Sequence, residues 1–272
     1  MLRRLWEAFD WRYRIVVRDS ARRRYLRRTF VNGDQLARSY RSGVPCDEAV
    51  CRDGLVIRHP SGRTALAQML VEVWFNEVYT RGFYAPSSGD VIVDAGANIG
   101  LFSIWAARRC PACHILAFEP FPENYDSLIR NLSAAEAGNV KAMLAAVSAE
   151  SGLASMVNVG ERSQDHRLSL AIDTDRAAVR TYSLADTLAM ADASGIALFK
   201  CDIEGSEYDL FAGADQALLR RVLRFAVEYH DNIRPGTLAL LRQRLSDTHS
   251  LRVQEEGQTG YGMLYATLKG LS

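Results

Sequence analysis

Two short apolar runs, each ending in a carboxylate, constrain this chain more than anything else in it. The first, Val91-Ile92-Val93-Asp94, passes through Ala95-Gly96-Ala97-Asn98-Ile99-Gly100, after which Leu101, Ile104, Trp105 and Ala106 recur at helical spacing. The second, His114-Ile115-Leu116-Ala117-Phe118, ends at Glu119, nineteen residues past Gly100, and Pro120 halts it. A helix then opens at Pro122-Glu123-Asn124 and runs through Tyr125, Leu128, Ile129 and Leu132. Continuous apolar runs suit strands buried on both faces, and helices between them force parallel pairing. The expectation is an α/β protein of alternating β and α elements.

The turn after Asp94 is a candidate ligand loop, because open α/β sheets bind ligands at the carboxyl ends of their strands. Glycine at 96 and 100 permits close backbone approach and tight helix packing. A dinucleotide fingerprint would need glycine at 98 and a small residue at 101, where this chain has Asn98 and Leu101. An S-adenosylmethionine site therefore fits better than a nicotinamide one. Asp94, Gly96, Asn98 and Gly100 are its candidate loop residues. Glu119, with Pro120 behind it, is placed to accept hydrogen bonds from a ribose diol. A third strand over Val140–Ser148 brings Val147 towards an adenine.

With 272 residues and 48% apolar content, the chain can bury one large core beside an N-terminal extension. No run of eighteen apolar residues occurs, and Glu7, Asp10 and Arg12 interrupt any signal-peptide core, so a cytoplasmic protein is expected. Five cysteines at irregular spacing make no disulfide framework, and Cys110-Pro111-Ala112-Cys113 reads as a loop with reduced thiols. Residues 1–30 hold ten Arg and three acids, a charge of +7, against −6 for the remainder. Leu2, Leu5, Trp6, Phe9, Tyr13, Val16 and Val17 share one face of a basic amphipathic helix. Packing on its own domain or in a homodimer is expected, although an anionic membrane surface would accept the same helix.

Further along, Glu48–Arg58 reads as a hairpin around Asp53-Gly54, and Ala65 to Val78 as a helix. Tyr79, Phe83 and Tyr84 are placed to roof the ligand. Alternation from Ser151 through Val157, Leu168 and Ile172 reads as an inserted hairpin, its polar tip at Glu161–Arg167.

A second chemical cluster lies in Ala197-Leu198-Phe199-Lys200-Cys201-Asp202-Ile203-Glu204-Gly205. Strand periodicity puts Lys200, Asp202 and Glu204 on one side. Ser206 and Asp209 have capping-box spacing, with Glu207 in the first helical turn. The run Val222–His230 ends in Glu228 and His230, also on one side, so neighbouring strands would bring these polar ends together.

The motifs DAGANIG, FEP with NYDSLIRNL, LFKCDIEGSEYDLFAGA and VEYH closely resemble the FkbM family of S-adenosylmethionine-dependent methyltransferases. The resemblance covers roughly residues 75–230. It implies a class I, Rossmann-like fold with a mostly parallel seven-stranded sheet whose last strand is antiparallel. Residues 1–85 would form the extension, and residues 86–272 the methyltransferase domain with its insertion around 151–180. It also implies methylation, usually of oxygen, of a small molecule, natural product or glycan, with no nucleic-acid partner.

In-line methyl transfer to a hydroxyl needs alignment and a place for the proton. His230, with an unperturbed pKa near 6.5, is the candidate base, with Asp202, Glu204 and Lys200 around it. Asp202, Glu228 and His230, with Glu204 beside them, would alternatively hold magnesium or manganese, and Asp202 would alternatively grip the cofactor. Methylation of nitrogen, or a nucleoside-binding module without catalysis, would use the same pocket.

Overall fold

The computed structural model describes residues 19–59, 66–158, 166–169, 178–191, 195–255 and 260–271. The amphipathic face read over Leu2–Val17 and residues 161–165 of the insertion tip lie outside them, while His166 and Arg167 stand in a strand. Two compact units divide at residue 77. The first holds helix α1 (residues 19–29), α2 (Gly33–Ser42), a two-stranded hairpin of β1 (Glu48–Val50) and β2 (Val56–Arg58), and α3 (Leu66–Leu70), which continues as a π-helical turn at Val71–Phe75. Asn32 ties this unit together, its amide donating to Glu48 O and accepting from Val50 N–H.

The second unit is built on one sheet. Its strands are β3 (Val91–Ala95), β4 (His114–Glu119), β5 (Val140–Val147), β6 (Gly152–Asn158), β7 (His166–Ser169), β8 (Ala178–Tyr182), β9 (Leu198–Cys201), β10 (Arg224–His230), β11 (His249–Glu255) and β12 (Tyr261–Leu268). Seven of them run β5-β4-β3-β9-β10-β12-β11, and only β12 opposes its neighbours. This is the expected seven-stranded arrangement. The inserted hairpin, β6 with β7, joins the same sheet through β8, which pairs parallel with the end of β5, so the sheet has ten strands.

Alternation along each strand sends residues to two helical layers. Val91, Val93, Phe199, Phe225 and Val227 face α6 (Leu184–Met190), α7 (Glu207–Gly213), α8 (Gln216–Leu219) and α9 (Thr237–Leu245), whose Leu188, Leu210, Phe211, Leu219 and Leu241 complete the main core. On the other face, α4 (Leu101–Arg109) and α5 (Pro122–Ala134) cover β3 and β4, with Ile104 and Leu128 fully buried. Gly100 caps α4 with φ of 91°, and a Cβ there would come within 2.6 Å of Leu128 Cδ1, so glycine lets the two helices meet.

Cys110 and Cys113 are joined by a disulfide, contrary to the reduced thiols expected. The turn through Pro111 brings their Cα atoms to 5.4 Å, within bridging range. The other three cysteines, Cys46, Cys51 and Cys201, are buried thiols.

Candidate active site

The carboxyl ends of β3, β4, β9 and β10 gather nearly all the chemistry. Asp94 and Lys200 are cross-strand partners on β3 and β9. Their side chains form an ion pair at 3.1 Å, and both are almost inaccessible to water. Asp94 also accepts from Ser103 Oγ on α4 at 2.6 Å, while Lys200 Nζ donates to the carbonyls of Gly96 (2.6 Å) and Ala95 (3.3 Å). Burial pulls the lysine pKa down, but Asp94 and Asp202 more than reverse this, so it titrates above its usual value. Lys200 is thus a permanent cation and a poor base. Asp94 has no exposed face, so its part in the loop is to anchor it.

Gly96 sits at φ of 79°, and a Cβ there would lie 1.7 Å from Asp202 O. The two motifs, about a hundred residues apart in sequence, therefore touch through bare backbone. Four described non-glycine residues have positive φ, and two of them, Asn98 (50°) and Glu204 (53°), stand in these two loops. Such strain is typical of functional loops.

Glu119 closes β4 and is 3% exposed. Its carboxylate accepts from the backbone N–H groups of Asn98 (2.8 Å) and Phe121 (3.0 Å) and, weakly, from Asn124 Nδ2 (3.4 Å). Burial lifts its pKa to about 7, with those hydrogen bonds and Lys200 resisting. Of about four acceptor positions on a carboxylate, these donors use three. A diol would take the fourth and displace the long Asn124 contact. Beside it, Asn98 Oδ1 is shielded from solvent and has no hydrogen-bond partner among the described residues. That orphaned acceptor next to a buried carboxylate suits the hydroxyls of a nucleoside. Pro120 ends β4 as expected. Gly100 packs against α5, and the Val147 side chain lies in the main core.

Across the sheet, β9 ends at Cys201, so Asp202 follows the strand and Glu204 lies in a turn. The pairing of β9 with β10 brings Glu228 and His230 alongside, as the periodicity implied. His230 Nδ1 lies 3.1 Å from Glu207 Oε1, and its Nε2 3.5 Å from Glu204 Oε2. Burial lowers the imidazole pKa, but the Glu207 hydrogen bond and the surrounding carboxylates outweigh it and carry the pKa to about 10. His230 is therefore an imidazolium at neutral pH. The base role assigned from its unperturbed pKa loses that support. Glu204 is lifted to about 8, first by burial and then by Asp202.

Glu207 is the residue that sequence reasoning missed. Ser206 makes no side-chain cap, so the expected capping box is absent. Instead Glu207, fully buried, accepts from Ile203 N–H (3.1 Å) and Gly205 N–H (3.0 Å) while pairing with His230. It thereby shapes the turn that carries Glu204. A signal existed: Glu207, Leu210, Phe211 and Ala214 form one apolar helical face with an acid at its head, which marks a buried charge.

Tyr79 reaches the same cluster. Its hydroxyl donates to Asp202 Oδ2 (2.8 Å) and lies 3.3 Å from Glu228 Oε2, and its ring stands 5.1 Å from Lys200 Nζ. Phe83 and Tyr84 do not roof this site. Phe83 packs on Tyr265, and Tyr84 donates to Asp90, which precedes β3 at the opposite end of the sheet. Of the residues expected to hold a metal, Asp202, Glu204 and His230 have ligand atoms within 4.8 Å of one another, and Glu228 falls outside that group.

The strand order, glycine loop and acid-ended second strand make this a class I, Rossmann-like methyltransferase architecture. The chain belongs to the FkbM methyltransferase family: the Methyltransferase FkbM domain matches residues 94–250, bearing out the resemblance read from the motifs. It is 31% identical over 219 residues to methyltransferase sdnD of Sordaria araneosa, covering 66% of this chain and 83% of that protein. It is 29% identical over 213 residues to the 31-O-demethyl-FK506 methyltransferase FkbM of Streptomyces tacrolimicus, covering 64% and 81%. Among solved structures, M. capricolum TrmK in complex with S-adenosyl-homocysteine aligns with a TM-score of 0.43 and 9% identity, over 71% of this chain and 67% of that one. Among the described residues, no helix is long and apolar enough to cross a membrane.

Proposed function

We propose that this protein transfers a methyl group from S-adenosylmethionine to a hydroxyl of a small-molecule or glycan acceptor. The observation that carries the reading is the buried Glu119 beside the orphaned Asn98 Oδ1, with a carboxylate and histidine cluster two strands away on the same edge. When bound, the cofactor supplies an electrophilic methyl on a sulfonium. Glu119 and Asn98 would hold its ribose, and the carboxylates of Asp202 and Glu228 provide the negative field that suits its amino group and sulfonium.

The chain's own contribution is alignment and charge. Lys200, pinned between Asp94 and the Ala95 and Gly96 carbonyls, fixes the first loop against β9. Gly96 against Asp202 O then sets the spacing between the two loops. A positioning error of about 1 Å costs about a hundredfold in such a reaction. A hydroxyl acceptor must also shed its proton. Glu204, whose pKa of about 8 lies closer to neutrality than the value of about 10 for His230, becomes a proton acceptor above that pH while His230 still holds its proton.

Oxygen as acceptor is supported by the Streptomyces relative, whose name makes it a 31-O-demethyl-FK506 methyltransferase. Calorimetry with S-adenosylhomocysteine tests the reading. Binding to the wild type that is lost in Glu119→Ala supports it, whereas an unchanged dissociation constant in that variant removes the nucleoside assignment.

A further inference from the structure

We propose that Asp202, Glu204 and the Nε2 of His230 form a divalent-cation site of the manganese or magnesium type. Their ligand atoms lie within 4.8 Å of one another, close to the roughly 4.2 Å between opposite ligands of an octahedral ion held at about 2.1 Å. The imidazole separates this group from an ordinary acidic patch. It is 7% exposed, projects from the end of a central strand, and aims Nε2 at Glu204, so an ion bound here takes the place of the proton between that nitrogen and that carboxylate, and its uptake releases a proton.

Independent support comes from around the three ligands. Metal-binding histidines regularly donate their second ring N–H to a carboxylate, which fixes ring orientation. Here that partner is Glu207, fully buried and anchored by the backbone N–H groups of Ile203 and Gly205. On the far side, the Tyr79 hydroxyl donates to Asp202 Oδ2 and so orients that carboxylate. Two carboxylates and one imidazole form a borderline-hard donor set, which favours manganese over calcium and leaves positions for water or an acceptor oxygen. The fully buried Cys201 has a thiol on the main-core side of β9, away from Lys200 and Asp202, so no sulfur ligand draws the site towards zinc.

An acceptor hydroxyl on an open position of the ion would ionise more readily, because a cation lowers the pKa of bound oxygen. That use of the ion rests on the transferase reading proposed above, whereas its binding does not.

The test titrates manganese chloride into the chelated, full-length protein and follows the paramagnetic resonance signal of free ion. The expected result is about one ion taken up per chain, with affinity reduced at least tenfold in Glu204→Gln and Asp202→Asn. Glu207→Gln should weaken it about 10–100-fold. Glu204 is partly exposed in a turn, so its variant tests the ligand without emptying the core, and a retained thermal transition verifies its folding. Wild-type protein that leaves the free-ion signal unchanged at millimolar manganese overturns the site, as does uptake unaffected by Glu204→Gln. Calorimetry with S-adenosylhomocysteine on the same chelated protein separates the two readings: binding there without manganese uptake sinks the cation site and spares the cofactor pocket, and the reverse does the opposite.

Discussion

Glu119 links pH, stability and ligand binding through one proton. Its pKa is raised from 4.5 to about 7 in the fold, so the folded protein holds a proton that the unfolded chain releases. Its contribution to stability is present below pH 4.5 and lost as pH rises to about 7, by up to about 3 kcal/mol. Denaturant melts across that window should show the fall, and Glu119→Gln should flatten it. Ligand affinity should run the other way, since the ionised carboxylate accepts hydroxyl hydrogen bonds and the protonated one does so less well. Glu119→Ala should cost about 2–4 kcal/mol of binding at pH 8. Lys200→Met should cost about 3–5 kcal/mol of stability, because it strands the carboxylate of Asp94 in the core. Adding Asp94→Asn should restore part of the loss, and thermal melts of the single and double variants measure both. At this scale the sequence was legible for acids that end strands, since chain order and period two place them. It was not legible for Glu207, whose partners Ile203, Gly205 and His230 come from a turn and from another strand. Nor was the charge state of His230, which depends on that unseen carboxylate rather than on the histidine itself.

The strand, turn and helix elements around the site read well from sequence because buried parallel strands are unbroken apolar runs bounded by Gly, Pro and acids. Gly96 shows how tightly they fit. Gly96→Ala would drive a Cβ into Asp202 O in a left-handed backbone, whereas Gly138→Ala meets nothing within 4 Å. The first substitution should remove several kcal/mol of stability, and the second should stay within about 1 kcal/mol, by chemical denaturation. Elements whose identity depends on neighbours were harder to read. The helix expected over residues 65–78 is described as an α-turn passing into a π-turn over Leu66–Phe75. The inserted hairpin was visible as alternation, but alternation does not say which edge it extends. Its attachment to β5 depends on the parallel pairing of Ala145–Val147 with Arg180–Tyr182.

For the molecule as a whole, the position of β12 matters most. It pairs over seven residues with β10 on one side and seven with β11 on the other, and it is the latest of the described strands in the chain. Ending the chain before Tyr261 should leave two unpaired edges and abolish the cooperative thermal transition, where loss of a surface strand would only shift it. The sheet order was legible through family resemblance, whereas the sequence pattern alone implied alternating α and β elements. There is also a consequence for synthesis. Strands β10 and β11 leave the ribosome before the strand that must separate them, and each carries a free edge that would accept the other. Until Tyr261–Leu268 emerges, the nascent chain has to keep these two edges apart, so slow translation after β11 has emerged would lengthen the interval in which they can join wrongly. Codon choice downstream of Glu255 should therefore influence the soluble yield of the protein more than codon choice around the Gly96 and Glu204 loops.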